Sequence, residues 1–541
     1  MTGSSQPLVI TDFLYRAQDM FGDKQIIDHV DGVETMRYNY RTYTDRVLRL
    51  AAALVARGVR PGDRVGTLAW NHHRHLELYL AIPLAGAVLH TINIRLEADE
   101  IAYIVDHADD VLVFADPSLE HLLTTARQRR PDMAVVLLDD GEFEEIIAGA
   151  APLDAPIRRD EDDLAALCYT SGTTGAPKGV GYRHKSLYLH TFAACLADGH
   201  AISERDRVLL VVPMFHANAW GVPFAAMMSG ADQVLPGPHP SAPEIATIIA
   251  TQRITYTGMV PTVAVDLVAH ATRENIDLRS LRALVLGGST PSTGLIRDIE
   301  ERLGVPAYQG WGMTEISPMA TFSRPPAAVA DDDTATRAAY IRKQGRLLPG
   351  LQWRLIADDG SDAPHDGHSR GEVVIRGPWV ATEYFRDPHP DRFLDGWLRT
   401  GDIGTIDSRG FLEIVDRAKD LIKSGGEWIS SLALEEQLLA HPGVAEAAVV
   451  AVAHPRWQER PVAYVVGVED GPAVDADALY ADLRENVPRW WLPDRVFVVD
   501  TLPRTSVGKL DKRTLREQAA GLLWEPTNTD SQPVPAAATD P

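Results

Sequence analysis

Tyr169-Thr170-Ser171-Gly172-Thr173-Thr174-Gly175-Ala176-Pro177-Lys178-Gly179-Val180 is the stretch that decides how the chain reads. It follows Leu164-Ala165-Ala166-Leu167-Cys168, a short apolar run of the kind that forms a buried strand. Glycines let the backbone turn tightly and approach an anion closely. Successive N–H groups and the Ser/Thr hydroxyls can then wrap phosphate oxygens, with Lys178 as a point charge. The spacing is not the Walker pattern, which places Lys-Ser/Thr directly after its last glycine. A helix is expected to begin near Lys185, after a long flexible loop.

Working outward, apolar runs and helical periods alternate, which indicates α/β layering. The period over Thr42 to Arg57 predicts a helix with Leu48, Ala51, Ala52 and Val55 on its buried face and Gly58 as its stop. Strands are expected at Val65 to Trp70, Val88 to Ile94, Val111 to Phe114, Val208 to Val212 and Ala283 to Leu286, and helices at Leu76 to Ala87 and Glu97 to Asp106. Ser241-Ala242-Pro243-Glu244 reads as a capping box opening a helix. From Gly371 the chain turns strand-rich, and from Leu421 it builds a small α+β unit with a helix at Leu432 to Leu439. The expected domains are 1–416 and 417–524, with 525–541, rich in Pro, Thr and Ala, disordered.

The 541 residues are enough for two or more domains. The formal net charge of −23 argues against non-specific nucleic-acid binding, and it requires local cations wherever an anionic nucleotide is held. Cys168 and Cys195 give no disulfide framework. No basic segment followed by an apolar one opens the chain, and the longest apolar run, Leu78 to Leu89, is too short to span a bilayer. A cytoplasmic protein without a membrane span is the expectation.

Five further blocks follow in order: Pro213-Met214-Phe215-His216-Ala217-Asn218-Ala219-Trp220, Gly310-Trp311-Gly312-Met313-Thr314-Glu315, Trp397-Leu398-Arg399-Thr400-Gly401-Asp402, Asp416-Arg417-Ala418-Lys419-Asp420 and Pro503-Arg504-Thr505-Ser506-Val507-Gly508-Lys509. Together with the opening stretch they resemble the adenylate-forming superfamily of acyl-CoA synthetases, luciferases and peptide-synthetase adenylation domains. The resemblance runs from about residue 10 to 520, and the wording is most similar to medium- and long-chain fatty acyl-CoA ligases.

That resemblance implies an α/β fold. Its large N-terminal domain would have several layers of mixed sheets and helices, and its small mobile α+β C-terminal domain would hinge near Lys419. It implies an ATP-dependent, AMP-forming ligase that makes an acyl adenylate and passes the acyl group to CoA. By the same resemblance, Thr170, Ser171, Gly172, Thr173, Thr174, Gly175 and Lys178 would hold the β- and γ-phosphates. Thr314 would meet the α-phosphate, and Glu315 would hold Mg²⁺, an ion that takes hard oxygen ligands. Trp311, beside Gly312, would stack on adenine, with the backbone of Gly288 and Ser289 on the other face. Asp402 would accept both ribose hydroxyls, with Arg417 adding a contact. His216 would lie beside the acyl carboxylate. Lys509 would bridge carboxylate and α-phosphate. Lys423, Gly425 and Gly426 would face the path of the acceptor thiol. Alone, most of these residues would read as turn, core or surface positions; their place in ordered blocks reverses that.

Some positions depart from the pattern. Val260-Pro261-Thr262-Val263 is followed by Ala264 where related fatty acyl enzymes carry Trp, Arg183 stands where Ser is commoner, and Gln458 stands where Gly is expected between Trp457 and Glu459. These departures keep a rival open, a CoA-independent adenylating enzyme acting on an aryl acid or on nitrite in a diazotase-like reaction. A non-catalytic scaffold is disfavoured because Lys178, Glu315, Asp402 and Lys509 are all present. Oligomeric state, monomer or homodimer, stays open.

Overall fold

The computed structural model describes residues 6–520 except 156, 158, 171–175, 426, 469–470, 472–473 and 505–509. The chain divides into two compact units, the first running to Ala418 and the second starting at Lys419.

The first unit is built on two large sheets and one smaller one. In the nine-stranded sheet the spatial order is Arg346–Leu347, Met319–Ser323, Ala307–Gly312, Ala283–Leu286, Tyr256–Met259, Arg207–Leu209, Asp232–Leu235, Gln25–Val30 and Val33–Asn39. Its centre is parallel and buried on both faces, which is why Ala283–Leu286 reads as a short unbroken apolar run, while the neighbouring Tyr256–Met259 buries Thr257 by donating its hydroxyl to the Leu209 carbonyl. The six-stranded sheet has the order Ala134–Leu137, Asp110–Ala115, Arg64–Leu68, Val88–Thr91, Leu164–Tyr169 and Gly179–Arg183. Its last pair is antiparallel, with Tyr169 opposite Gly179, so the phosphate-loop stretch is the connection of a hairpin. The third sheet pairs Gln352–Ile356, Gly371–Arg376, Trp397–Ile406 and Phe393–Leu394, with Leu412–Arg417 against Trp397–Ile406.

Two readings from sequence need correction. The supposed long loop before the helix His184–Cys195 contains the strand Gly179–Arg183. In the helix Tyr40–Ala56 the buried stripe is Tyr40, Tyr43, Val47, Leu50, Ala51 and Leu54, whereas Val55 is exposed. The two tyrosines supply the turn of periodicity that an aliphatic-only reading overlooks. Their hydroxyls donate to the carbonyls of Ala231 and Leu76, which satisfies two buried polar groups.

The second unit is α+β. Its strands run Glu427–Ile429, Ile422–Ser424, Gln458–Gly467 and Val444–His454, and Arg495–Val498 pairs in parallel with Gln458–Gly467. The helix Ser431–Leu439 covers one face, capped by the Ser430 hydroxyl, and its Leu434 and Leu438 are fully buried. Lys512–Ala520 is the last described helix. The tail expected from 525 lies outside the described residues. No described helix is long and apolar enough to cross a membrane.

Candidate active site

The phosphate-loop hairpin is tied at its base. Thr170 N–H donates to the Lys178 carbonyl at 2.9 Å, and Lys178 N–H donates to Thr170 Oγ1 at 3.1 Å. Ser171, Gly172, Thr173, Thr174 and Gly175 lie outside the described residues. The Lys178 ammonium sits 5.1 Å from the centre of the Tyr384 ring, a cation–π distance.

Glu315 is carried by a short turn, Thr314–Ile316, directly after the strand Ala307–Gly312. Its side chain is only 7% exposed, and Tyr384 Oη donates to its Oε1 at 2.7 Å. The Arg392 guanidinium is 3.9 Å from the same oxygen and donates to the Thr400 carbonyl at 3.0 Å. Among the described residues Oε2 accepts no hydrogen bond. Burial, reinforced by the Glu315 charge and hydrogen bond, pushes the Tyr384 hydroxyl well above the usual phenol range, so it remains a neutral donor. Tyr182 Oη donates to the Thr314 carbonyl at 2.8 Å and fixes that turn to the phosphate-loop hairpin. Gly312 has to be glycine. A Cβ there would lie 1.8 Å from the Pro318 carbonyl oxygen, which accepts from Met313 N–H at 2.9 Å.

Asp402 is 2% exposed and stands opposite Arg417 across two antiparallel strands. Arg417 Nε is 2.6 Å from Oδ1, and Trp311 Nε1 donates to Oδ2 at 3.0 Å. Each carboxylate oxygen thus keeps a second lone pair for another donor. Gly288, with φ of +85°, and exposed Ser289 close the strand Ala283–Leu286.

His216 sits half-buried just ahead of a run in which Ala217, Asn218, Ala219 and Trp220 have φ of 45°, 53°, 50° and 57°. Left-handed backbone costs L residues about 1–2 kcal/mol each, so this segment must be held by its surroundings. Asn71 is one holder. Its Nδ2 donates to the carbonyls of Leu210 and Val212 at 2.7 and 2.8 Å, and its Oδ1 accepts from Met214 N–H at 2.8 Å. Cys168 is another, donating through Sγ to Asn218 Oδ1 at 2.9 Å, its thiol pushed up to about 11 by burial and therefore unreactive. The Trp220 ring lies against the backbone of Gly258 and Gly287, where added Cβ atoms would be 3.2 and 2.7 Å from it. Ala264 is fully buried in the core around Leu267 and Leu286.

In the second unit, Gly425 has φ of +62° in the turn between Ile422–Ser424 and Glu427–Ile429. Its N–H donates to the Trp457 carbonyl at 2.9 Å, and the Trp457 ring covers it so closely that a Cβ would be 2.8 Å away. Lys423 Nζ lies 5.3 Å from the centre of the Trp428 ring. Gln458, where glycine was expected, has φ of +70°. Gly426 and Lys509 fall outside the described residues.

The first unit therefore brings Lys178, Thr314 and Glu315 together through Tyr182 and Tyr384, and Trp311, Asp402 and Arg417 through one carboxylate. Tyr384 and Asn71 are contributors that the motif blocks did not mark. Glu315 fits a hard cation, with one buried carboxylate oxygen fixed and the other open. No described cluster of three or more His, Cys, Asp or Glu forms a metal cage, so nucleotide oxygens would have to complete the coordination.

A family model described as AMP-binding enzyme matches residues 14–385, and one described as AMP-binding enzyme C-terminal domain matches 433–509. A long-chain-fatty-acid–CoA ligase of Thermus thermophilus is 42% identical over 524 residues, 96% of each chain. A 3-methylmercaptopropionyl-CoA ligase of Ruegeria pomeroyi is 41% identical over 96% of this chain and 98% of that one. The crystal structure of ATP-bound MatB from Rhodopseudomonas palustris superposes with a TM-score of 0.85 at 28% identity, covering 95% of this chain and 99% of that one.

Proposed function

The chain belongs to the AMP-binding enzyme family and is an ATP-dependent, AMP-forming acid–CoA ligase; we propose that its acid is an aliphatic one of medium or long chain. The observation that carries this reading is full-length similarity to a long-chain-fatty-acid–CoA ligase, in a chain that keeps both anchored carboxylates, Glu315 and Asp402.

The acid's carboxylate oxygen attacks the α-phosphorus of ATP, and the bond to the β-phosphate oxygen breaks to release pyrophosphate. The acyl adenylate is then attacked by the CoA thiolate, and AMP leaves. The first step brings two anions together, so it depends on positioning and on charges fixed in advance. Lys178 and the phosphate loop hold the β- and γ-phosphates, and the Thr314 turn holds the α-phosphate. Glu315, with Oε1 fixed by Tyr384, would hold Mg²⁺, which would supply positive charge toward the triphosphate. Asp402 accepts the ribose hydroxyls on its free lone pairs while Arg417 and Trp311 fix its plane. Trp311 presents its ring to adenine with Gly312 alongside, opposite Gly288 and Ser289. His216 lies beside the acyl carboxylate. Lys509 bridges carboxylate and α-phosphate, and Lys423, Gly425 and Gly426 line the thiol's approach, with movement near Lys419 exchanging the two steps. The expected domains are 1–416 and 417–524, and the expected compartment is the cytoplasm.

The test is pyrophosphate release from ATP with a panel of fatty acids, aryl acids and nitrite, each with and without CoA. Release with an aliphatic acid, and thioester only when CoA is added, is expected. Release with nitrite or an aryl acid alone, indifferent to CoA, would replace this reading with its rival.

A further inference from the structure

Tyr384 touches both charged groups at the phosphate end of the site. Its hydroxyl donates to Glu315 Oε1 at 2.7 Å, and its ring lies 5.1 Å beneath the Lys178 ammonium. The segment that carries it is stitched to the same two places. Ala381 N–H donates to the Glu315 carbonyl at 2.8 Å, and Phe385 N–H donates to the Gly179 carbonyl at 2.8 Å, one residue beyond Lys178. Tyr384 is 5% exposed, and the rings of His389 and Phe393 pack on it edge-on at 5.4 and 5.1 Å. Its geometry is thereby fixed before any ligand arrives.

We propose that Tyr384 is a positioning residue that sets the Glu315 carboxylate for Mg²⁺ and the Lys178 ammonium for the phosphates, coupling the two through one ring. The proposal rests on the ligase reading above. A phenol suits the task because it donates one hydrogen bond without bringing a charge. It pins Oε1 at hydrogen-bonding distance, inside the 3.9 Å at which the Arg392 guanidinium stands, and leaves Oε2 for the cation. An arginine or lysine in its place would compete with the metal for the carboxylate charge. The ring face offers Lys178 an attraction that holds the ammonium near the site without pairing it to Glu315, which would cancel both charges. Groups that orient a metal-binding carboxylate in this way are worth about 10–100-fold in metal affinity.

The test reads binding, not turnover. ATP affinity is measured by calorimetry with excess Mg²⁺ and again with EDTA, and the ratio of the two is the metal advantage. AMP affinity and the melting temperature serve as controls, since AMP lacks the β- and γ-phosphates. Tyr384→Phe keeps the ring and should reduce the metal advantage about tenfold, with AMP affinity and melting unchanged. Tyr384→Leu should in addition weaken ATP binding in EDTA, because Lys178 loses its platform. Glu315→Gln should abolish the metal advantage, and adding Tyr384→Phe to it should cost nothing more. An unchanged metal advantage in Tyr384→Phe, an equal loss of AMP binding, or additive losses in the double variant would overturn the proposal. A normal metal advantage in Glu315→Gln would instead overturn the assignment of Glu315 on which it stands.

Discussion

The Glu315–Asp402 region of the first unit and the Gly425 corner of the second are built in opposite ways. Glu315 and Asp402 are nearly inaccessible, and each has its carboxylate plane fixed by side chains from other strands and loops. Around Gly425 the fixed element is backbone, the covering group is the 37% exposed Trp457, and the neighbouring Gln458 strains its own φ. Charge that must meet a triphosphate is worth most when it is held in advance in a dry setting. At Gly425 the missing side chain leaves place for the Trp457 ring, which a Cβ would meet at 2.8 Å. The contrast predicts that substitutions in the first region damage nucleotide chemistry, while those in the second spare it.

The largest expected effect separates the two chemical steps. Lys509→Ala should slow acyl-adenylate formation by about a hundredfold or more, the scale of losing one preorganised charge contact in a transition state, with ATP binding largely kept. Adenylate formation at the parent rate in rapid-quench assays would show that the bridging charge comes from elsewhere. Next comes Gly425→Leu. It should leave pyrophosphate release intact and slow thioester formation about a hundredfold, as small misplacements at a reacting centre do. Equal loss of both steps would mean that the turn matters only to folding.

A smaller effect concerns how the first unit is braced. The N-terminus of the helix His73–Leu84 is held from two sheets, by Asp28 on His73 at 2.5 Å and by Asp116 on His72 at 2.9 Å. Burial alone would lower the His72 pKa, but the charge and hydrogen bond of Asp116 outweigh it and raise it. Burial would raise Asp116, but His72 and the Trp70 N–H bring it down. The pair's contribution is therefore whole between the unfolded values, about 3.9 for Asp and about 6.5 for His. It fades as pH rises through the elevated His72 value and as pH falls through the depressed Asp116 value. Melting temperature should decline more steeply above neutrality in the parent than in His72→Asn, which keeps a side-chain cap. Parallel pH profiles would remove the pair from the account.

The smallest effect tests the strain at the second region. Gln458→Gly should stabilise the protein by up to about 1 kcal/mol, because glycine adopts positive φ without the Cβ penalty. Denaturant melts would reveal it, and a loss of stability would mean that the glutamine side chain contributes more than its backbone costs.

Much of this was legible from sequence, for physical reasons that differ by element. Leu164–Tyr169 and Ala283–Leu286 announce themselves because strands buried on both faces carry only apolar side chains. Gly179–Arg183 stays silent because two of its five residues are glycines; a Cβ on Gly181 would be 2.7 Å from Leu164. Its pairing is set by a partner strand, not by its own pattern. Gln458 was legible as an anomaly, since a glycine expected by pattern turned out to mark a positive φ. Tyr384 and Asn71 were not legible, because their partners lie 69 residues away in one case and 139 to 143 in the other. Motif blocks record the groups that touch a substrate more readily than the groups that hold those in place.

The most direct measurement of the central claim uses a fatty acid labelled with ¹⁸O in both carboxylate oxygens, incubated with MgATP and CoA. Attack of the carboxylate on the α-phosphorus predicts that one labelled oxygen leaves in AMP and the other stays in the thioester. Unlabelled AMP, or ADP in place of AMP, would contradict the account at its core.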